Sequence, residues 1–237
     1  MHQRLSRSNW PYCDSTYPDA FSGEKDSCGV GFIASVEGKQ NHWVLSQALR
    51  GLSCMEHRGG CGGDSDSGDG AGILCEIPWS YLRQVWDTAR QCESQLSGIG
   101  MLFMPKDLKN REIARNICEQ EAASLGLTSK GWRDVPVNEE VLGKLARENE
   151  PFITQWIVNI KDKEINLEAL LFRLRQRISN RANVELKGDK LGLYICSLSN
   201  KTIVYKGMVR SEILAPFYTD LNDSRFEVSY AVYHRRF

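Results

Sequence analysis

Cys28 stands at the mouth of an apolar run, Cys28-Gly29-Val30-Gly31-Phe32-Ile33-Ala34. A thiol there could serve as a nucleophile. Gly29 and Gly31 let a substrate carbonyl approach the sulfur closely, at some cost in strand stability. Val30, Phe32, Ile33 and Ala34 supply the strand. On pattern alone, a cysteine in an apolar setting is more often a small core residue. If the chain were cut before Cys28, the freed α-amine would have a pKa of about 7.7–8.0 and could act as the activating base. While Ser27 is attached, that nitrogen is an amide and cannot take a proton. Residues 1–27 suit a disordered arm. They are polar, contain Pro11, Pro18 and Gly23, and show neither a periodic apolar face nor a secretory core.

The second chemically loaded stretch is Cys54-Met55-Glu56-His57-Arg58-Gly59-Gly60-Cys61-Gly62-Gly63-Asp64-Ser65-Asp66-Ser67-Gly68-Asp69-Gly70-Ala71-Gly72. A calcium loop is one reading, since Asp64, Asp66 and Asp69 are close. Counted from Asp64, however, Gly68, Asp69 and Cys75 occupy the places where an EF-hand needs an oxygen ligand, a glycine and a glutamate. A phosphate loop would need a Gly-Lys-Ser/Thr ending, which does not follow. The favoured reading is a tight loop between helix and strand, its aspartates satisfying backbone amides.

With Cys-Gly-Val-Gly-Phe, this stretch resembles the start of the large subunit of the glutamate synthases, a class II glutamine amidotransferase domain of the N-terminal-nucleophile type. The likeness continues through Gln155-Trp156, Glu168-Ala169-Leu170-Leu171-Phe172-Arg173-Leu174-Arg175, Tyr194-Ile195-Cys196-Ser197-Leu198-Ser199, Thr202-Ile203-Val204-Tyr205-Lys206-Gly207-Met208 and Tyr233-His234-Arg235-Arg236-Phe237. The wording around Arg50-Gly51 and Gly62-Gly63-Asp64-Ser65-Asp66 is closest to ferredoxin-dependent forms. The resemblance implies an α+β fold, the four-layer αββα sandwich of N-terminal-nucleophile hydrolases. It implies a propeptide over 1–27 and an amidotransferase domain over 28–237, incomplete at its C-terminal end.

The implied chemistry is hydrolysis of L-glutamine to glutamate and ammonia through a Cys28 thioester. Arg236 would hold the substrate carboxylate, for which a guanidinium offers a planar fork. Arg58 and Gly59 would lie close to the nucleophile. His57 reads as a packing or hydrogen-bonding residue. The family's motif runs on beyond Phe237 to an Asn-Gly pair that forms the oxyanion hole, so this stretch by itself is expected to be inactive. The same resemblance implies no cofactor within this chain. FMN, an iron–sulfur cluster and contact with ferredoxin belong to synthase domains of the same polypeptide. Another class II amidotransferase is disfavoured by the Asp-Ser-Gly-Asp-Gly-Ala-Gly loop and by the long insert from Gln91 to Arg147. A non-catalytic interaction module is the alternative from a different class.

Composition fits these expectations. Thirty lysines and arginines balance thirty aspartates and glutamates, which argues against a nucleic-acid partner recognised by phosphate neutralisation. No run approaches the length of about 20 apolar residues that spans a membrane. The eight cysteines show no C-x-x-C, zinc or cluster spacing. They read as reduced thiols in a cytoplasmic protein, with no metal, all but Cys28 structural.

Several elements must position these residues. The pattern predicts strands at Cys28–Ala34, Ala71–Ile77, Gly98–Met104, Trp132–Val137 and Phe152–Ile160. Helices are expected over Trp43–Met55, from Trp79, after Asp107 up to Gly126, over Asn138–Arg147, and from Leu167. The last of these carries a basic face of Arg173, Arg175 and Arg177 that reads as solvated or as an interface within a larger protein. Asn183–Lys190 reads as a polar connection. Leu191–Ser199 and Lys201–Gly207 read as a hairpin. Arg225–Phe237 reads as a strand with Phe226, Val228, Tyr230 and Val232 on one side.

Overall fold

The computed structural model describes residues 29–55, 67–161, 163–189 and 192–235. It holds two four-stranded sheets whose pairings are all antiparallel. The first sheet has the order β1-β8-β2-β7, with β1 Gly29–Ala34, β2 Ala71–Glu76, β7 Thr202–Gly207 and β8 Tyr230–Arg235. The second has the order β4-β5-β3-β6, with β3 Ser97–Met104, β4 Thr128–Asp134, β5 Phe152–Asn159 and β6 Tyr194–Ser199.

The helices begin where side chains can satisfy free backbone amides. Asn41 caps α1 (His42–Cys54) by accepting from Val44 N at 3.0 Å. Asp107 caps α4 (Leu108–Ser124) through Asn110 N at 2.9 Å, and Asn166 caps α6 (Leu167–Glu185) through Ala169 N at 3.1 Å. Gly126, at φ 76°, turns the chain away after α4. Shorter helices are α2 (Trp79–Val85), α3 (Asp87–Arg90), α5 (Lys144–Glu148) and α7 (Leu214–Phe217).

Two apolar clusters follow. Helices α4 and α6 cover one face of the second sheet, enclosing Leu102, Trp156, Val158, Ile117, Leu171 and Leu174. The opposite face, with Ile99, Met101 and Ile157, joins Ile73, Tyr205 and Ala231 of the first sheet and Leu45 and Leu52 of α1 in the larger core. Coverage of the first sheet is uneven. Val30 and Phe32 are 67% and 73% exposed, on the side they share by register with His234 and Val232.

A buried polar cluster ties the two sheets. Arg133 of β4 clasps Asp220 with both nitrogens, each at 2.8 Å. Tyr81 of α2 and Tyr205 of β7 donate to the same carboxylate at 2.7 and 3.1 Å. Gln155 of β5 closes the ring, accepting from Arg133 at 2.7 Å and donating to the Tyr205 hydroxyl at 3.0 Å. Burial, then the Asp220 carboxylate, push both phenols well above their ordinary range, so they stay protonated as donors.

Five expectations are corrected. The Leu191–Ser199/Lys201–Gly207 hairpin does not form within one sheet: β6 ends the second sheet and β7 ends the first. Glu168 holds the bend between them, accepting from Asn200 N at 2.9 Å and from the Ser199 hydroxyl at 3.1 Å. The helix expected over Asn138–Arg147 is broken. A 3-10 turn, Glu139–Val141, is followed by extended Leu142 and Gly143 before α5 begins. The Asn183–Lys190 connection starts later, because α6 runs to Glu185. Its basic face is not simply solvated: Arg175 donates to Ile195 O at 3.0 Å, and Arg177 pairs with Glu121 at 2.6 Å.

In the last strand the burial phase differs from the expected one. Phe226 and Val228 are buried before β8 begins, against Tyr81 and beside Asn41 respectively. Within β8 the fully buried positions are Ala231 and Arg235.

The polar cluster is the most sensitive point of the fold. Asp220→Ala leaves the Arg133 guanidinium buried without its main counter-charge. It is expected to lower stability by on the order of 3–5 kcal/mol, measured as a shift in the urea unfolding midpoint.

Candidate active site

All four expected site residues, Cys28, Arg58, Gly59 and Arg236, lie outside the described residues. The structure does place their flanks. In the register of the first sheet Gly29 is opposite Arg235, Arg235 is also opposite Ala71, and Ala71 is opposite Gly207. Four strand ends therefore form one row. The residue after Cys28, the residue before Arg236 and the strand leaving the glycine- and aspartate-rich loop meet there, although 206 positions separate Gly29 from Arg235.

Arg235 is a functional-region residue that sequence reasoning missed. Its side chain is fully buried, with Nη2 3.4 Å from Asp69 Oδ1 and Nη1 donating to Val209 O at 3.4 Å. A buried guanidinium needs such partners, and Asp69 comes from the loop that precedes β2. This contact anchors the end of that loop to the end of β8. Asp69 was legible only as one of several loop acids. The available signal for Arg235 was the Arg235-Arg236 pair itself: in a strand, neighbouring side chains point to opposite faces, so only one of the two can enter a given core.

Tyr233 fixes the approach of α1. A Cβ at Gly31 would lie 2.5 Å from its ring, and one at Gly51 of α1 would lie 2.6 Å from its hydroxyl. The ring thus fills space that two glycines leave open, which sets how closely β1, β8 and α1 can pack.

The buried thiols in view are poor nucleophiles. Cys75, Cys118 and Cys196 are buried, and burial pushes their thiols up, Cys196 to about 12. Cys92 is shifted in the same direction by burial. A thiol that does not ionise is inert. Cys54 is exposed. Among the described residues no group of three or more His, Cys, Asp and Glu side chains could hold a metal ion. No described helix is long and apolar enough to cross a membrane.

With this geometry in place, the chain is identified by family. Residues 28–237 match the class II glutamine amidotransferases, and the chain belongs to that family. It is 44% identical over 219 residues to ferredoxin-dependent glutamate synthase 1, chloroplastic/mitochondrial, of Arabidopsis thaliana, with 90% of this chain covered. It is 45% identical over 220 residues to ferredoxin-dependent glutamate synthase 2 of Synechocystis, again over 90% of the chain. The ferredoxin-dependent glutamate synthase of Cyanidium caldarium is 43% identical over 217 residues. The chain spans 13–14% of the length of these relatives.

Gly31→Ala tests the packing at the head of the site. Tyr233 is held from both sides, so the added methyl is expected to cost about 1–3 kcal/mol. Pairing it with Tyr233→Leu should recover part of the loss in thermal unfolding.

Proposed function

We propose that this chain is the glutaminase part of a glutamate synthase, with Cys28 as nucleophile and Arg236 as the anchor for the substrate carboxylate. What supports the reading most is the row of strand ends at Gly29, Ala71 and Arg235, which brings the flanks of three motifs to one place. Side chains alternate along extended strands. On this reading positions 28 and 236 continue the side of Val30 and His234, the face that described residues leave partly open. Arg58 and Gly59 support the nucleophile from the loop. The domain takes the four-layer αββα arrangement of N-terminal-nucleophile hydrolases, in which the two antiparallel sheets are the inner layers.

The reaction follows from the groups involved. Removal of residues 1–27 frees the α-amine of Cys28, which takes the thiol proton. The thiolate attacks the side-chain amide carbon of L-glutamine. The carbon–nitrogen bond breaks, and the α-ammonium protonates the leaving ammonia. A thioester remains. Water, deprotonated by the same amine, attacks it, releases glutamate and restores the thiol. The ammonia serves the synthesis of glutamate from 2-oxoglutarate elsewhere in the polypeptide, with ferredoxin as electron donor, as the relatives' names suggest. On this reading the flavin and iron–sulfur cluster belong to synthase domains of the same polypeptide, and no step above depends on them.

A glutamine-mimicking electrophile is expected to label Cys28 once its amine is free. In the full-length synthase, Cys28→Ser should lower glutaminase activity by at least about 1000-fold. Because the amine must be neutral to act as base, activity is expected to rise with pH through about 7.7–8.0. Labelling at another cysteine, or none with the cleaved terminus verified by mass spectrometry, would sink the assignment.

A further inference from the structure

A cavity of about 540 Å³ opens beside the end of β7, lined there by Gly207 and Val209 and by Ser67 and Gly68 of the glycine- and aspartate-rich loop; no residue of β1 or β8 lines it. That volume lies within the range of small-molecule sites, about 300–1,000 Å³. Its wall is almost wholly apolar, with Phe103, Ile153, Leu142, Met208 and Tyr218 among the lining residues. The polar residues of the lining include Ser67, Asn149, Lys206 and Glu150, and Glu150 lies between α5 and β5. Its side chain is only 5% exposed. Among the described residues no donor lies within hydrogen-bond distance of its Oε2.

The nearest cation does not satisfy that oxygen. Lys106 Nζ lies 3.8 Å away, beyond hydrogen-bond length, is half exposed, and donates to Arg147 O at 3.3 Å. The Tyr218 hydroxyl is directed to Lys206 O at 2.7 Å. Lys206 itself is engaged in an exposed contact with the Tyr194 hydroxyl at 2.7 Å. A buried carboxylate oxygen without a donor is costly. A ligand that brings an ammonium to Glu150 and an apolar body to the surrounding wall relieves that cost and fills the space.

We propose that this cavity is a binding site for a small primary amine with an apolar body, its ammonium held by Glu150. The cavity borders the row of strand ends, but this proposal rests on Glu150 and not on Cys28 or Arg236. Its failure would leave Cys28 labelling unchanged, and loss of Cys28 reactivity would leave amine binding unchanged.

The ionisation of Glu150 supplies a wild-type test. Burial raises its carboxyl to about 6; Glu139 adds to the rise, while Lys106 and Arg147 oppose it. An ammonium ligand therefore binds more tightly as pH rises through about 6 and Glu150 ionises. The probes are benzylamine, protonated throughout this range, and benzyl alcohol, its neutral counterpart, titrated against the 237-residue chain by ligand-observed NMR.

At pH 7.5 saturable benzylamine binding is expected, at least tenfold tighter than benzyl alcohol, and weaker by a similar factor at pH 5. Glu150→Gln should abolish the difference between the two probes. Equal affinity for both, a flat pH profile, no saturable benzylamine binding, or a folded Glu150→Gln variant that keeps the preference would overturn the proposal. Should that variant fail to fold, the wild-type pH profile decides.

Discussion

Strand β8 is the constraint on which the rest depends. It lies between β1 and β2 and pairs with both, so its register sets two others at once. A slip of one residue would send Arg235 out of the core and put His234 in its place. It would also move Gly29 and Ala71 out of line with the end of β8. The Arg235–Asp69 contact resists such a slip, since a guanidinium buried there finds its acidic partner only in the observed register. Packing around Tyr233, between Gly31 and Gly51, opposes it a second time.

The two sheets are coupled by a different kind of interaction. Apolar packing of Ile73, Ile99 and Ala231 is tolerant of small sliding, because it carries no direction. The clasp of Arg133 on Asp220, with Tyr81, Tyr205 and Gln155 around it, is directional. It draws β4, β5, β7 and α2 onto one carboxylate. The apolar core thus provides most of the driving force, while the polar cluster selects one relative placement of the sheets. The bend held by Glu168 carries the chain from one sheet to the other at β6–β7.

Much of this was legible in the residues. Local signals were enough for α1, α4 and α6, where Asp107 and the apolar spacing mark a helix start and a buried face. Strands β1, β2, β3 and β5 were equally plain. What escaped were features decided at long range. Nothing local distinguishes a hairpin at Asn200 from a crossing between sheets, because both need a tight turn. The phase of β8 was misread because Phe226 and Val228 are buried by contacts made before the strand begins, not as members of it. Arg235 was passed over for its neighbour Arg236, since a buried arginine is betrayed only by an acid that arrives from elsewhere in the chain. Glu150 gave no local sign of burial for the same reason. Family likeness pointed to Cys28, Arg58, Gly59 and Arg236, and the described structure speaks to their flanks alone.

The most direct measurement is a crystal structure of the protein carrying a covalent glutamine-derived adduct. The expected result is a thioether on Cys28 whose α-carboxylate reaches the Arg236 guanidinium across the β1–β8 pair, with Arg235 buried on Asp69 behind it. An adduct on Cys28 with its carboxylate held elsewhere, or a β8 register that separates Gly29 from Arg235, would contradict the account.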